Sequence, residues 1–266
     1  MEKLTNENYF SQETNLAYMS ASQYKDFKEC EVHALAKLKG EYVEEKSKAL
    51  LVGSYVDAYF SNEMEQFKLE NPQIFKKDGT LLKDFEKAND IIAAIESDPF
   101  MLKFLQGEHQ VIMTGEISGV PFKIKVDSLF DFVIVDQKIM SSIRELVWQY
   151  DEEQGRNVQV DFIKAYGYDI QGAIYQEIVR QNTGKKLPFV LAVTTKEECP
   201  DKELIEIDQE YLDKALEEVK KNCKRYQAIK LGVLDPQGCG KCPSCRSQHK
   251  CTGIKSYKEL FNKGEE

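Results

Sequence analysis

Residues 120–138 read VPFKIKVDSLFDFVIVDQK, and this stretch contains two short strands that each lead to charged side chains. In the first strand apolar residues alternate with lysines, and Asp127 follows it directly. In the second strand, residues 132–135, four apolar residues precede Asp136, which is typical of a strand covered on both faces. Because side chains alternate along a strand, Asp136 and Lys138 emerge on the same face. The stretch predicts two carboxylates and an ammonium group at one edge of a buried sheet.

If the two strands are neighbours, Asp127 can approach Asp136. Two carboxylates held together repel each other unless a cation lies between them, and Mg²⁺ or Mn²⁺ would neutralise both. Such an ion lowers the pKa of bound water and stabilises charge on a phosphate, and Lys138 would hold or deprotonate that water and face the phosphate. The alternative is that both aspartates close turns and Lys138 is solvated, since D-x-K triplets are common.

The flanking sequence predicts further strands and helices. Apolar residues at helical spacing predict helices over residues 24–38, 51–60, 85–95, 157–181 and 208–231, and short apolar runs predict strands over residues 111–117, 188–194 and 203–207. We expect an α/β fold in one domain, residues 1–266. Its parts would be a helical N-terminal part (1–108), a core (109–232) and a cysteine-rich tail (233–266) packed back on the first long helix.

Two residues of the helix predicted over 157–181 extend the pattern. Gln171 and Tyr175 are four residues apart and share one helix face. In order and spacing, Asp127, the Asp136-Gln137-Lys138 triplet and this pair resemble the PD-(D/E)xK nuclease superfamily, in its RecB- and RecE-like phage-type exonuclease branch. The resemblance implies a restriction-endonuclease-like mixed central sheet flanked by helices. It also implies metal-dependent phosphodiester hydrolysis by Asp127, Asp136, Lys138, Gln171 and Tyr175; taken alone, Gln171 and Tyr175 also fit an ordinary surface–core pair.

An upstream helix carries a further part of the resemblance. Gly53 stands four residues before Asp57, at the place where this branch has G-x-x-x-H with a metal-binding histidine. Aspartate is a competent oxygen ligand for Mg²⁺, so the resemblance implies a metal site of Asp57, Asp127, Asp136 and the backbone carbonyl of Gln137. The alternative is that Asp57 is solvated and interrupts an apolar stripe. The three histidines of the chain lie outside these motifs, and we expect them to be structural or exposed.

The cysteines form a second candidate site. Cys239, Cys242, Cys245 and Cys251 lie within thirteen residues, and crowded thiols in a reducing compartment more often hold a metal than form disulfides. Cys30, Cys242, Cys245 and Cys251 resemble the AddB-type nucleases of the same superfamily, which implies a 4Fe–4S cluster that clamps the chain ends. The alternatives are a local zinc site of Cys239, Cys242, Cys245 and Cys251, or free thiols.

Charge and hydropathy limit the classes of protein. The chain has 45 acidic and 36 basic residues, a net charge of −9, which argues against a protein that coats nucleic acid but permits DNA in one cleft. No apolar run approaches the ~18 residues of a membrane span, and the N-terminus has no signal segment. We expect a cytoplasmic protein without membrane contact, and we expect Lys123, Lys125 and Lys138 to face DNA.

The leading hypothesis is a Mg²⁺-dependent DNA exonuclease that acts on linear DNA in phage-type recombination or repair. Resemblance to the RecE-like branch implies a single-strand annealing recombinase as partner and a homo-oligomer. Two alternatives stay open: a CRISPR-adaptation-type Fe–S nuclease acting on single strands, and a non-catalytic, metal-stapled DNA-binding module. No G-x-x-x-x-G-K-[ST] motif occurs, so we expect no ATP use by this chain.

Overall fold

A computed structural model describes residues 4–151, 154–254 and 256. The α-helices are α1 (Gln12–Ala17), α2 (Ala21–Glu29), α3 (Glu31–Leu38), α4 (Lys48–Phe60), α5 (Met64–Glu70), α6 (Lys87–Glu96), α7 (Pro99–Phe104), α8 (Phe162–Ala165), α9 (Tyr168–Thr183), α10 (Gln209–Lys230) and α11 (Pro243–Gln248). The strands are β1 (Glu108–Ile117), β2 (Val120–Leu129), β3 (Ile134–Met140), β4 (Val147–Asp151), β5 (Arg156–Val160), β6 (Phe189–Thr195) and β7 (Lys202–Glu206). Short 3₁₀ turns cover Pro72–Ile74 and Lys83–Phe85.

The central sheet has the strand order β1-β2-β3-β6-β7. β1 and β2 form an antiparallel hairpin around Ser118 and Gly119, both at positive φ as such a turn requires. β2 pairs antiparallel with β3, β3 pairs parallel with β6, and β7 closes the sheet antiparallel to β6. The link between the two parallel strands carries the β4–β5 hairpin, α8 and α9. The expected α/β fold with a mixed central sheet flanked by helices is confirmed.

Both faces of the sheet are covered. Along β6, Phe189, Leu191 and Val193 belong to a core shared with α2, α9 and α10. Val190 and Ala192, which point the other way, belong to a second core shared with α4 and α6. A strand buried on both faces has a continuous apolar sequence, which explains why the sequence predicted this one. Within the described part of the chain, every helix is too short or too polar to span a lipid bilayer.

Two of the predicted helices are wrong in part. The helix expected over residues 24–38 is divided at Cys30, where an extended backbone (φ −163°, ψ 113°) ends α2 and begins α3. In the helix expected over residues 157–181, residues 157–160 belong to β5, which pairs with β4. Polar and apolar residues alternate in β5, as in a strand, and the left-handed Gly167 (φ 61°) separates α8 from α9. The helical pattern holds from Tyr168 onward.

Lys123 does not face DNA, contrary to the expectation from sequence. Its side chain is buried, and its ammonium donates hydrogen bonds to the carbonyl of Tyr9, to Thr14 Oγ1 at 3.0 Å and to Asn15 Oδ1 at 2.8 Å. Burial lowers the pKa of Lys123 to about 8. The residue therefore attaches the N-terminal segment, residues 5–18, to the sheet.

Replacing Lys123 should destabilise the protein. In Lys123→Met the Asn15 amide oxygen loses its donor and the Tyr9 carbonyl keeps only the Thr14 hydroxyl. An unsatisfied buried polar group costs about 1–3 kcal/mol. We expect the free energy of unfolding to fall by that order in chemical denaturation. The control, Lys221→Met at an exposed position of α10, should change it by less than about 0.5 kcal/mol. Equal stabilities of the two variants would contradict the attachment.

Candidate active site

The site lies where the β2–β3 ladder ends. The register pairs Leu129 with Ile134 and Ser128 with Val135, so Asp127 and Asp136 stand one step further along. There the strands separate, and Asp127 Oδ2 accepts a hydrogen bond from the Gln137 backbone N–H at 2.9 Å. The two aspartates lie inside β2 and β3 rather than at the strand ends predicted from sequence, since both strands continue past them.

Asp136 is the most enclosed of these carboxylates, at 1% exposure. Its Oδ1 accepts a hydrogen bond of 2.7 Å from Gln171 Nε2, and its Oδ2 forms an ion pair with the ammonium of Lys138. The Lys138 ammonium is therefore the counter-charge of Oδ2. A metal ion that binds this oxygen must displace the ammonium or share the carboxylate with it.

Gln171 and Tyr175 approach the site from α9, as their spacing predicts. While Gln171 contacts Asp136, the Tyr175 hydroxyl donates to the backbone carbonyl of Lys125 at 3.1 Å. Both side chains are buried. In this structure the pair links α9 to β3 and β2, so the surface–core alternative does not describe it.

Asp57 reaches the same cluster from α4. The helix packs against β3 near Gly53, where an added Cβ would lie 3.7 Å from Ile139 Cβ. One turn later, Asp57 lines a cavity of about 10 Å³, roughly the space of one water molecule. Asp127, Gln137 and His109 also line this cavity. His109, which we expected to be structural or exposed, is a site residue that the sequence analysis missed, because only the β1–β2 pairing brings it here.

The charges of the cluster determine its protonation. Burial, then the carboxylates of Asp136 and Asp57, raise the pKa of Asp127 well above its usual value. Burial also raises the pKa of Asp57 to about 6, against the opposing effect of Lys138. Burial lowers the pKa of Lys138, but Asp136 and Asp127 outweigh it, so the ammonium keeps its proton. Lys138 is the ammonium in contact with Asp136, while Lys125 and Lys25 add positive charge toward Asp57 and Asp136 from further away. Repulsion among the three carboxylates still contributes to the raised pKa values of Asp57 and Asp127, and a divalent cation between them would relieve it.

The described carboxylates offer the oxygen donors that a divalent cation prefers, but their oxygens do not surround one point. No three of their carboxylates and imidazoles have ligand atoms within 4.8 Å of one another; the cysteines described below form the one group of this kind. Asp136 is turned toward Lys138 and Asp127 toward the Gln137 N–H. Bringing Asp57, Asp127 and Asp136 onto one ion therefore requires side-chain rotations. A cavity lies beside Asp57 and Asp127, where the ion would enter.

Metal binding should release protons. Because the pKa of Asp57 is raised to about 6, Asp57 is partly protonated at pH 6, and the raised pKa of Asp127 acts in the same direction. A metal binds the ionised forms of both carboxyls. We expect the affinity for Mg²⁺ to increase from pH 6 to pH 8. Calorimetric titration in two buffers of different ionisation enthalpy should detect proton release at pH 6, and Asp57→Asn should release fewer protons. Asp90→Asn, on the surface of α6, is the control, and a pH-independent affinity without proton release would contradict the electrostatics.

A second cluster joins the chain ends. Sγ of Cys30 lies 3.6 Å from Sγ of Cys242 and 3.6 Å from Sγ of Cys245, and Cys239 completes a group whose sulfurs all lie within 4.8 Å of one another. Cys251 is exposed and outside this group. The structure therefore forms one group, which differs by one residue from each of the two predicted ligand sets. It has Cys239 where the predicted 4Fe–4S set has Cys251, and Cys30 where the predicted zinc set has Cys251.

Local geometry explains the choice of Cys239. The backbone N–H groups of Lys241 and Cys242 donate to Cys239 Sγ at 3.4 and 3.3 Å, and they lower the pKa of Cys239 to about 6. Such N–H···S bonds form where a short loop folds around one sulfur. On the other side, the break between α2 and α3 places Cys30 at a helix junction, where it meets the loop.

A partly exposed ion pair attaches the cysteine loop to α3. Arg225 of α10 donates two hydrogen bonds of 2.7 and 2.8 Å to the carboxylate of Glu31. The same carboxylate accepts the backbone N–H of Gln237 at 2.7 Å, two residues before Cys239. Further along, His33 Nδ1 lies 2.8 Å from Ser244 Oγ. Charge-assisted bonds of this kind fix both partners strongly, so the loop has one position relative to Cys30.

Metal content should follow the cysteine group that the structure forms. Cys239→Ala removes one of four ligands and should lower the bound metal per chain to well below that of the unmodified protein, as measured by elemental analysis. Cys251→Ala, the matched control, should leave the metal content unchanged. The opposite pattern, with loss only in Cys251→Ala, would contradict the grouping.

Comparison with known proteins agrees with this geometry. Residues 20–248 match the family model described as "PDDEXK-like domain of unknown function (DUF3799)". Among solved structures, the chain is similar to a Eubacterium rectale protein named "Putative exonuclease", with 46% identity, a TM-score of 0.89 and 98% of each chain covered. No curated protein matches this sequence. Both similarities support a nuclease, whose substrate is DNA. The chain belongs to the PDDEXK-like family and thus to the PD-(D/E)xK superfamily.

Proposed function

We propose that this protein is a Mg²⁺- or Mn²⁺-dependent DNA exonuclease. The observation that carries the proposal is the buried cluster of Asp57, Asp127, Asp136 and Lys138, in which repulsion between the carboxylates contributes to the raised pKa values of Asp57 and Asp127. A bound divalent cation would supply Lewis acidity toward the scissile phosphate and a water of lowered pKa. The residues proposed to hold it are Asp57, Asp127, Asp136 and the carbonyl of Gln137.

The chain's own groups have distinct roles in this proposal. Lys138 remains an ammonium, so it donates hydrogen bonds to the attacking water or to a phosphate oxygen rather than removing a proton. Gln171 fixes the rotamer of Asp136 through the 2.7 Å hydrogen bond to Oδ1. Tyr175 holds α9 against β2 through the Lys125 carbonyl. These residues orient the acidic cluster, and the backbone of β2 and β3 carries it.

The cysteine group is proposed as a structural metal site. Four sulfurs at ~2.3 Å from one tetrahedral ion would lie ~3.8 Å apart, close to the 3.6 Å of Cys30 to Cys242 and Cys245. A zinc-type ion fits this spacing directly. A 4Fe–4S cluster, implied by the resemblance to AddB-type nucleases, needs the thiolates further apart, since each binds a different iron; visible absorbance distinguishes the two.

The remaining expectations complete the proposal. The chain would act as one unit in phage-type recombination or repair, beside a single-strand annealing recombinase and as a homo-oligomer. These points rest on the resemblance to the RecE-like branch. A non-catalytic DNA-binding module is the competing function, and the next experiment excludes one of the two.

Cleavage should require the acidic cluster and a divalent cation. Linear DNA with one labelled end, as a duplex and as a single strand, is incubated with purified protein in Mg²⁺ or in EDTA. We expect shortening from the ends only with Mg²⁺. Asp136→Asn should lower the rate by at least about 100-fold, because the cation contributes several kcal/mol at ~1.36 kcal/mol per tenfold.

Two controls make the result interpretable. Asp90→Asn on the surface of α6 should retain the full rate, and closed circular DNA should resist an exonuclease. Inertness of the unmodified protein with Mg²⁺ and with Mn²⁺ would overturn the proposed nuclease and favour the binding module. Cleavage of circular DNA would overturn the exonuclease assignment alone.

A further inference from the structure

Four aromatic side chains lie on elements that flank the acidic cluster. They are Tyr168 and Tyr166 around the start of α9, and Trp148 and Tyr150 of the β4–β5 hairpin; we call this set the aromatic track. Tyr168 is half-buried, and the exposed fractions are 45% for Tyr166, 65% for Trp148 and 57% for Tyr150. Single exposed aromatic side chains are ordinary, but four of them near one site need an explanation.

The track begins at the site itself. The ammonium of Lys138 lies 5.6 Å from the centre of the Tyr168 ring. The next ring, Tyr166, lies 5.8 Å from Tyr168, tilted by 45°. The first two members are therefore continuous with the cluster proposed to bind the scissile phosphate.

A lysine from another element fixes this part of the track. Lys25 of α2 lies 5.5 Å from the centre of the Tyr168 ring, and its ammonium donates a hydrogen bond of 3.1 Å to the Tyr166 carbonyl. The stem of Lys25 passes over Gly167, where a Cβ would lie only 2.9 Å from Lys25 Cδ. With φ 61°, Gly167 also makes the turn between the two tyrosines. The rings and the cation are held together by the backbone between them.

The β4–β5 hairpin lies beside the turn that carries Tyr166. Gln149 donates a side-chain hydrogen bond of 2.9 Å to the carbonyl of Ala165, the residue directly before Tyr166. Because side chains alternate along β4, Trp148 and Tyr150 point to the other face, away from that contact. The ammonium of Lys241, in the cysteine loop, lies 5.5 Å from the Tyr150 ring. The hairpin thus presents two exposed rings, with a second cation at their far end.

We propose that the aromatic track binds an unpaired DNA strand, whose bases stack on Tyr166, Trp148 and Tyr150 while Lys25 and Lys241 contact its phosphates. This rests on the proposed nuclease function and names the form of its substrate. Alternation of exposed rings with cations suits a single strand, because every base has a face that stacks on an aromatic ring and its phosphates need cations. In a duplex the base faces are covered by their neighbours and cannot stack on side chains.

Trp148 is the sole tryptophan among the 266 residues, so its fluorescence reports this surface directly. An Asp136→Asn protein is titrated with an unlabelled single-stranded oligonucleotide and then with a blunt duplex of the same sequence. We expect a saturable decrease of tryptophan fluorescence with the single strand and little change with the duplex. Binding of the single strand without a fluorescence change would overturn the track, and equal quenching by the duplex would overturn the preference for unpaired DNA.

Substitutions test the contribution of stacking. In fluorescence anisotropy with a labelled single strand, Trp148→Ala should bind about 5- to 100-fold more weakly, the range that one base–aromatic stack supplies. Trp148→Phe should retain most of the affinity, which shows that the hairpin still folds. The matched control is Phe100→Ala, an equally exposed aromatic (67%) on α7 outside the track, and equal affinity of the two alanine variants would overturn the proposal.

The outcome separates the track from the nuclease. Cleavage by the unmodified protein without quenching in the Asp136→Asn protein refutes the track alone. Quenching by the single strand, with no cleavage by the unmodified protein under any divalent cation, supports the track and refutes the nuclease.

Discussion

Repulsion among buried carboxylates is the constraint on which the site depends. Asp57, Asp127 and Asp136 share one buried region, in which Lys138 contacts Asp136 while Lys125 and Lys25 act from further away, and buried charge that stays unpaired is costly. Without a cation the cluster is balanced by raising the pKa of Asp57 and Asp127 and by the Lys138–Asp136 ion pair. A divalent cation removes the same repulsion while leaving the carboxylates ionised. Metal binding and protonation are thus alternative ways to reduce the same repulsion among the carboxylates.

The rest of the fold holds that cluster in place. Residues from α4, α9, β2 and β3 meet at the point where the β2–β3 ladder opens, and both faces of the sheet are packed behind them. The N-terminal segment is attached by Lys123, and the C-terminal cysteine loop by Glu31 and Arg225. Polar anchors therefore order these two segments, and the metal proposed at the cysteine group would add to them.

Local patterns predicted much of this, and contacts distant in sequence did not follow from them. β6 and Asp136 could be predicted, because a strand buried on both faces and a D-x-K triplet are visible within a few residues. The burial of Lys123 could not, since its partners lie 108 to 114 positions away. His109 depends on the β1–β2 pairing, and the exchange of Cys251 for Cys239 depends on how one loop folds. The β4–β5 hairpin was missed because its few apolar residues also fit the start of a helix.

The central claim is that Asp57, Asp127 and Asp136 converge on one divalent cation. Crystals grown with Mn²⁺ and measured at an X-ray energy where manganese scatters anomalously test it directly. The account predicts a manganese peak in contact with these three carboxylates and the carbonyl of Gln137, with Asp136 turned away from Lys138. Full Mn²⁺ exposure with no peak there, or a peak that touches a single carboxylate, would contradict it.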